Sequence, residues 1–232
     1  LDSLIGIEPE TAKDLILALA KAGENGVACL KLLLANHGTK VLLDNDILPI
    51  FGAEEAETLT FALANVEEGG AACLGLLLLE GRMRKLDLEP DMAKELTLKL
   101  AAVGENGAYC LGNLIAIHLD RLQPLQLDTA KKLVLDLANA KSNGVFCLRK
   151  LLEKEKLADL NNLEAKNARD LAFALVAVGE DGVACLRLLL NVNNLQNLQL
   201  KDVPPESVHT KVLELLNQGQ EGLEELKRLL EA

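Results

Sequence analysis

The sequence predicts an all-α chain, a right-handed α-solenoid of six two-helix repeats of about 37–44 residues. Three observations carry that expectation. A Gly-x-x-Cys-Leu phrase recurs at Gly26, Gly70, Gly107, Gly144 and Gly182, with a degenerate sixth copy at Gly222-Leu-Glu-Glu225-Leu226. These glycines are separated by 44, 37, 37, 38 and 40 residues, the period of helical repeat arrays. Apolar residues around each Gly keep helical spacing without insertion or deletion, and all length variation falls between copies. Residues 1–232 therefore read as a single repeat domain, with repeats at approximately 1–44, 45–84, 85–122, 123–157, 158–198 and 199–232.

The first helix of each repeat precedes the Gly. Fourteen residues upstream stand Ala12, Ala56, Ala93, Ala130, Ala168 and Val208; eleven upstream stand Leu15, Leu59, Leu96, Leu133, Leu171 and Lys211. Seven upstream, every copy has Leu: Leu19, Leu63, Leu100, Leu137, Leu175 and Leu215. Offsets of three and four residues place these side chains on one helical face. Nine upstream, Leu17, Phe61, Leu98, Leu135, Phe173 and Leu213 widen the stripe, so this helix is expected to be buried on more than one side.

The turn comes next. Gly23, Gly104, Gly179 and Gly219 stand three residues before the repeated Gly, where a left-handed C-terminal cap falls. Asn25, Asn106, Asn143 and Asp181 directly precede it, placed to cap the second helix with a side-chain oxygen. Glu24, Glu68, Glu105 and Glu180 complement the dipole of that helix. The repeated Gly then falls in its first turn, where Gly is otherwise unfavourable. A neighbouring backbone is expected to pass there too closely for a Cβ.

The second helix carries apolar residues at plus three, four, seven and eight, as in Cys29, Leu30, Leu33 and Leu34 or Cys185, Leu186, Leu189 and Leu190. That is an amphipathic pattern. In the connectors, Leu86-Asp-Leu-Glu-Pro90, Leu125-Gln-Leu-Asp128-Thr129 and Val203-Pro204-Pro205-Glu-Ser207 combine leucines with helix-start signals. Proline suits a first helical position, and Asp or Ser suits the cap. Asp46–Phe51 and Leu195–Leu200 are expected to add a short third helix, their leucines lidding the groove between repeats. The last repeat is polar at Lys211, Gln218, Glu224 and Glu225, as a solvent-facing terminal cap requires. Leu1–Ile7 lacks such polarity, so the array is expected to continue upstream.

Composition narrows the function. Half of the residues are hydrophobic but only 2% are aromatic, with no Trp, so the core must be built from Leu, Ala and Val. A net charge of -11 argues against general affinity for nucleic acid or anionic membranes. No apolar run approaches the ~18 residues of a membrane span. The five cysteines share one repeat position, and none has a second Cys or a His at metal-site spacing. Equivalent positions on stacked helices lie ~8–10 Å apart, beyond the ~7 Å between Cα atoms that a disulfide allows. They read as small buried hydrophobes, without metal, which implies a reducing, cytoplasmic setting. His37, His118 and His209 occupy unrelated repeat positions, and no phosphate-cradling loop is present. Neither enzymatic activity nor a cofactor is expected.

A paired-helix unit of this length, repeated along the whole chain, resembles the broad HEAT and armadillo class of α-solenoids. A second similarity lies in Pro9-Glu10, a short helix, Gly23-Glu-Asn-Gly26, a longer helix and His37-Gly38. That layout is similar to TAL-effector repeats, in which a variable pair before the Gly reads one DNA base. The corresponding pairs would be Glu24-Asn25, Glu68-Gly69, Glu105-Asn106, Ser142-Asn143, Glu180-Asp181 and Gln220-Glu221. The family follows with a second Gly and a Lys or Gln, whereas Val, Ala or Leu follows here. Glu opens four of the six pairs and would repel a phosphate backbone.

The second helix leaves plus two, plus five and plus nine outside its apolar stripe. Plus two reads Ala28, Ala72, Tyr109, Phe146, Ala184 and Glu224; plus five reads Lys31, Gly75, Gly112, Arg149, Arg187 and Lys227. Tyr109, Phe146, Lys31, Arg149, Arg187 and Lys227 are the candidate partner-binding residues, with aromatic and Arg anchors suited to an acidic-hydrophobic peptide. The same side chains would equally serve as gap fillers and a solvated face. The acidic loops form a second surface, suited to a basic partner. The expected function is a non-enzymatic protein–protein interaction scaffold or adaptor that binds a protein or peptide, with no membrane or metal. One alternative is a TAL-effector-like nucleic-acid-binding array, which the acidic charge argues against. Another is an idealised or excised array without a selected partner.

Overall fold

In the computed structural model, residues 8–41, 51, 53–79, 86, 88–117, 119, 122–157, 160, 163–191 and 195–231 are described. Among them the chain is all-α, with twelve helices and no strand. It packs as two compact units, Leu1–Leu122 and Gln123–Ala232. The first holds α1 (Pro9–Lys21), α2 (Glu24–Val41), α3 (Ala53–Ala64), α4 (Glu67–Leu79), α5 (Pro90–Ala102) and α6 (Glu105–Ile117). The second holds α7 (Leu127–Asn139), α8 (Lys141–Glu153), α9 (Ala165–Val178), α10 (Glu180–Asn191), α11 (Pro205–Asn217) and α12 (Gln220–Leu230). Each odd-numbered helix packs on the even-numbered helix that follows it. Within the first unit α1 also meets α3 and α4, α2 meets α4, α3 meets α5, and α4 meets α6. Within the second, α9 touches α7, α8 and α12, while α10 touches α8 and α11.

The leading Ala of every copy (Val208 in the last) is buried, and the Leu seven before the Gly is buried in all but the first copy. Two further rows complete the core. Ten before the Gly stand Ile16, Thr60, Thr97, Val134, Ala172 and Val212; six before stand Ala20, Ala64, Ala101, Ala138, Val176 and Leu216. All twelve are buried. The threonines tolerate this because their hydroxyls donate to the carbonyls four residues back, Thr60 to Ala56 at 2.7 Å and Thr97 to Ala93 at 2.8 Å. The row nine before the Gly, from Leu17 to Leu213, is only half-buried in every copy. The first helix is thus buried on one broad face, and this row lies along its margin.

The close backbone approach at the repeated Gly is present in all six copies, and it lies within the helix pair. A Cβ on Gly26, Gly70, Gly107, Gly144, Gly182 or Gly222 would run into the carbonyl oxygen of Leu19, Leu63, Leu100, Leu137, Leu175 or Leu215 respectively. That approach explains why the Gly recurs; the Leu seven residues before it recurs because its side chain fills the core, since any residue would supply the carbonyl.

The turn differs from expectation in two ways. Asn25, Asn106 and Asp181 lie inside their helices, which start one residue earlier. The residue that ends one helix and starts the next stands three before the Gly, and its φ is positive in every copy. Gly23, Gly104, Gly179 and Gly219 have φ of 63°, 91°, 93° and 67°; Glu67 and Lys141 stand in the same place with 47° and 52°. Gly179 and Gly219 have ψ of -143° and -141°, outside the left-handed helical well and in a region reserved for Gly. Where Gly occupies the position, its carbonyl accepts the first helical bond, as from Val27 to Gly23 at 3.0 Å and Val183 to Gly179 at 2.9 Å. Where Glu67 or Lys141 does, the helix begins one residue sooner. Gly70 then donates to Val66 at 3.0 Å and Gly144 to Ala140 at 3.1 Å.

Pro9, Pro90 and Pro205 open their helices as expected. Asp128 does not cap α7: extended Gln126 does, without a side-chain bond. Of the two expected third helices, residues 46–50 lie outside the described residues, and Leu195–Leu198 closes a single turn through Leu198 N–H to Leu195 O at 3.1 Å. The same one-turn device closes Leu119–Leu122 and Leu160–Leu163, each at 3.0–3.1 Å, with the leucines buried. One turn orders several residues for one bond, so it stays short unless packing sustains it. In the second unit the connectors also link laterally. Leu125 donates to Lys156 O at 2.8 Å, and Asn197 Nδ2 donates to Leu163 O at 3.1 Å.

All five cysteines are free thiols, and Cys73, Cys110, Cys147 and Cys185 are buried. Cys29 is exposed, against the expectation for the row; it belongs to the first copy, and no copy among the described residues precedes it. Burial pushes Cys73 up to about 11 and Cys185 up to about 12, and raises Cys110 as well. These thiols stay protonated and unreactive at neutral pH. A thiol-reactive chromophore at pH 8 is therefore expected to modify Cys29 alone in the folded protein, and the other four only on unfolding. Rapid labelling of two or more native thiols would contradict the packing.

Candidate functional site

The second helices of the first unit form an open groove of ≈ 480 Å³. It is lined by Val27 and Ala28 from α2, Gly69, Ala72, Leu76 and Leu79 from α4, and Tyr109 from α6, with Glu24, Glu68 and Lys31 at its border. Small residues create the depression. Gly69 lies against the backbone of Ala20, where a side chain would not fit. The Tyr109 ring packs over Gly75, 3.6 Å from where a Cβ would sit, an ordinary packing distance. Tyr109 is nevertheless 39% exposed and Leu79 56% exposed, which makes this an apolar surface open to solvent.

Of the six candidate residues, Lys31 and Tyr109 meet at this groove. The others belong to the second unit. Phe146 is exposed beneath Lys150, whose ammonium stands 5.7 Å from the ring centroid. Arg149 pairs with Glu153 at 2.8 Å within α8, and Lys227 with Glu224 at 3.6 Å within α12. Arg187 has a packing duty: its guanidinium donates to the Leu216 carbonyl at 2.7 Å and to Asn217 Oδ1 at 2.9 Å, holding the end of α11. It lines a groove of ≈ 450 Å³ with Val183, Ala184, Leu216 and Leu223, the register counterpart of the groove in the first unit. Arg187 occupies the repeat position of Lys31, but its head is tied down across the groove.

Leu76 and Leu79 were not among the expected site residues. The signal was present in the register, because plus six and plus nine carry Lys150 and Glu153 in the fourth copy but Leu76 and Leu79 in the second. No group of three or more His, Cys, Asp or Glu side chains able to hold a metal ion occurs among the described residues. No described helix is long and apolar enough to cross a membrane. Compared with known proteins, the chain matches no family model, no curated sequence and no solved structure.

Proposed function

We propose that the chain is a right-handed α-solenoid of six two-helix repeats that works as a non-enzymatic interaction module. Its partner is a protein segment seated in the groove of the first unit. The observation that carries this reading is the exposed pair Leu79 and Tyr109 in a groove lined also by Gly and Ala. A buried aromatic anchor in a pocket is the usual energetic centre of such contacts. The counterpart groove, crossed by Arg187, lacks an equivalent anchor. Tyr109 is the only Tyr and the chain has no Trp, so intrinsic emission excited near 280 nm reports on this groove alone. Peptides enriched from a displayed library on the immobilised protein are expected to shift that emission. They should lose about ten-fold or more in affinity against Tyr109→Ala, with the melting temperature retained. Failure of any peptide to enrich, or undiminished binding by the variant, would remove the groove from consideration.

A further inference from the structure

Resting on that reading, we infer that the occupant is a helical segment of another protein carrying one cation and one anion two turns apart, on either side of an apolar strip. The first part follows from backbone chemistry. From Val27 to Lys31 and from Ala72 to Leu79 the walls are helix interior, whose amides and carbonyls bond within their own helices; only Glu24, Glu68, Gly69 and Asn106, at the acidic end, lie in first turns with amides outside the helical ladder. An extended peptide would lose water from its main chain there and find few partners in exchange. A helix satisfies its own backbone and presents side chains at i, i+3, i+4 and i+7. The small lining residues Ala28, Gly69 and Ala72 allow its axis to approach closely.

The charge pattern follows from α2. Glu24 and Lys31 both border the groove and stand seven residues apart, about 10 Å along the helix axis. Glu68 joins Glu24 at the acidic end. Neither these glutamates nor Lys31 has an ion-pair partner among the described residues. Some charges elsewhere pair within their own helices, as Arg149 with Glu153 and Arg228 with Glu225, and others, such as Asp14, stand unpaired on the surface among the described residues. The groove therefore offers a negative end, an apolar middle at Ala72, Leu76 and Tyr109, and a positive point two turns away. A cation of the occupant faces Glu24 and Glu68, an anion faces Lys31, and the side chains between them fill the middle.

The test uses the whole chain and a phage library of single helices randomised on one face. Enriched helices that lose binding to Tyr109→Ala are expected to carry a Lys or Arg and an Asp or Glu seven residues apart. Replacing the peptide cation by Met should weaken binding to the native protein about five-fold, but should leave binding to Glu24→Gln/Glu68→Gln unchanged. Replacing the anion should behave likewise against Lys31→Met. Tyr109-dependent peptides without the charge pair, without coupling in these cycles, or non-helical when bound, would overturn this inference while leaving the groove as the site. Enrichment of peptides indifferent to Tyr109→Ala, or of none, would overturn the groove reading and this inference with it. Displacement of a bound peptide by excess unlabelled chain would instead assign the groove to a second copy.

Discussion

Gly107→Ala is expected to destabilise the first unit by about 3 kcal/mol, and so to lower its melting temperature by about 12 °C. The added methyl would meet the Leu100 carbonyl oxygen and stand 2.7 Å from the Val103 Cβ. A flexible side chain could swing away from a new methyl, but the carbonyl is fixed in the helical ladder of α5. Relief must come from separating α5 and α6, which uncovers Leu96, Leu100, Cys110 and Leu111, all fully buried. The same substitution at Gly144 or Gly182 should act alike in the second unit, since Leu137 and Leu175 present the same oxygen. Differential scanning calorimetry checks this; a fall of less than about 3 °C would show that the pair opens at little cost.

The second large effect lies three residues upstream. Gly179→Ala is expected to cost about 2 kcal/mol, although nothing lies within 4 Å of the new methyl. The penalty is conformational, because φ 93° with ψ -143° is accessible to glycine and not to alanine. The chain itself supplies the reverse experiment. Glu67 and Lys141 hold φ of 47° and 52° at the same repeat position, so Glu67→Gly and Lys141→Gly should each stabilise by roughly 0.5–1 kcal/mol. Urea denaturation with an unchanged m-value would read these directly. Stabilisation by Gly179→Ala, or loss of stability in both glycine replacements, would contradict the assignment of strain.

Much of the helical architecture was legible because the six copies act as replicate readings of one unit. A row constant at Leu, such as Leu63 and Leu100, can only be core, and a row constant at Gly can only be clearance. Rows of mixed chemistry concealed their role. Thr60 and Thr97 look polar beside Ile16 and Val134, yet their hydroxyls are satisfied by the helix that carries them, so the row is buried throughout. The half-buried row from Leu17 to Leu213 misleads in the opposite sense, because apolar residues at a margin pattern like core. The groove was half legible. Tyr109 and Lys31 stood out as departures from small or varied neighbours, whereas Leu76 and Leu79 were hidden by the abundance of leucine around them. Arg187 shows a further limit: a cation at a variable position suggests a ligand, and its bond to the Leu216 carbonyl depends on where α11 ends.

The contact between the repeated Gly and its Leu lies within a helix pair, so each pair carries the determinant of its own crossing. The connectors hold all of the length variation. A pair can thus be copied, deleted or exchanged at a connector without disturbing the geometry inside any other. The interval of 44 residues after Gly26, against 37 to 40 elsewhere, records such tolerance at the seams. A chain built this way can change by whole modules, and the order in which pairs are placed then decides which side chains meet on its surface.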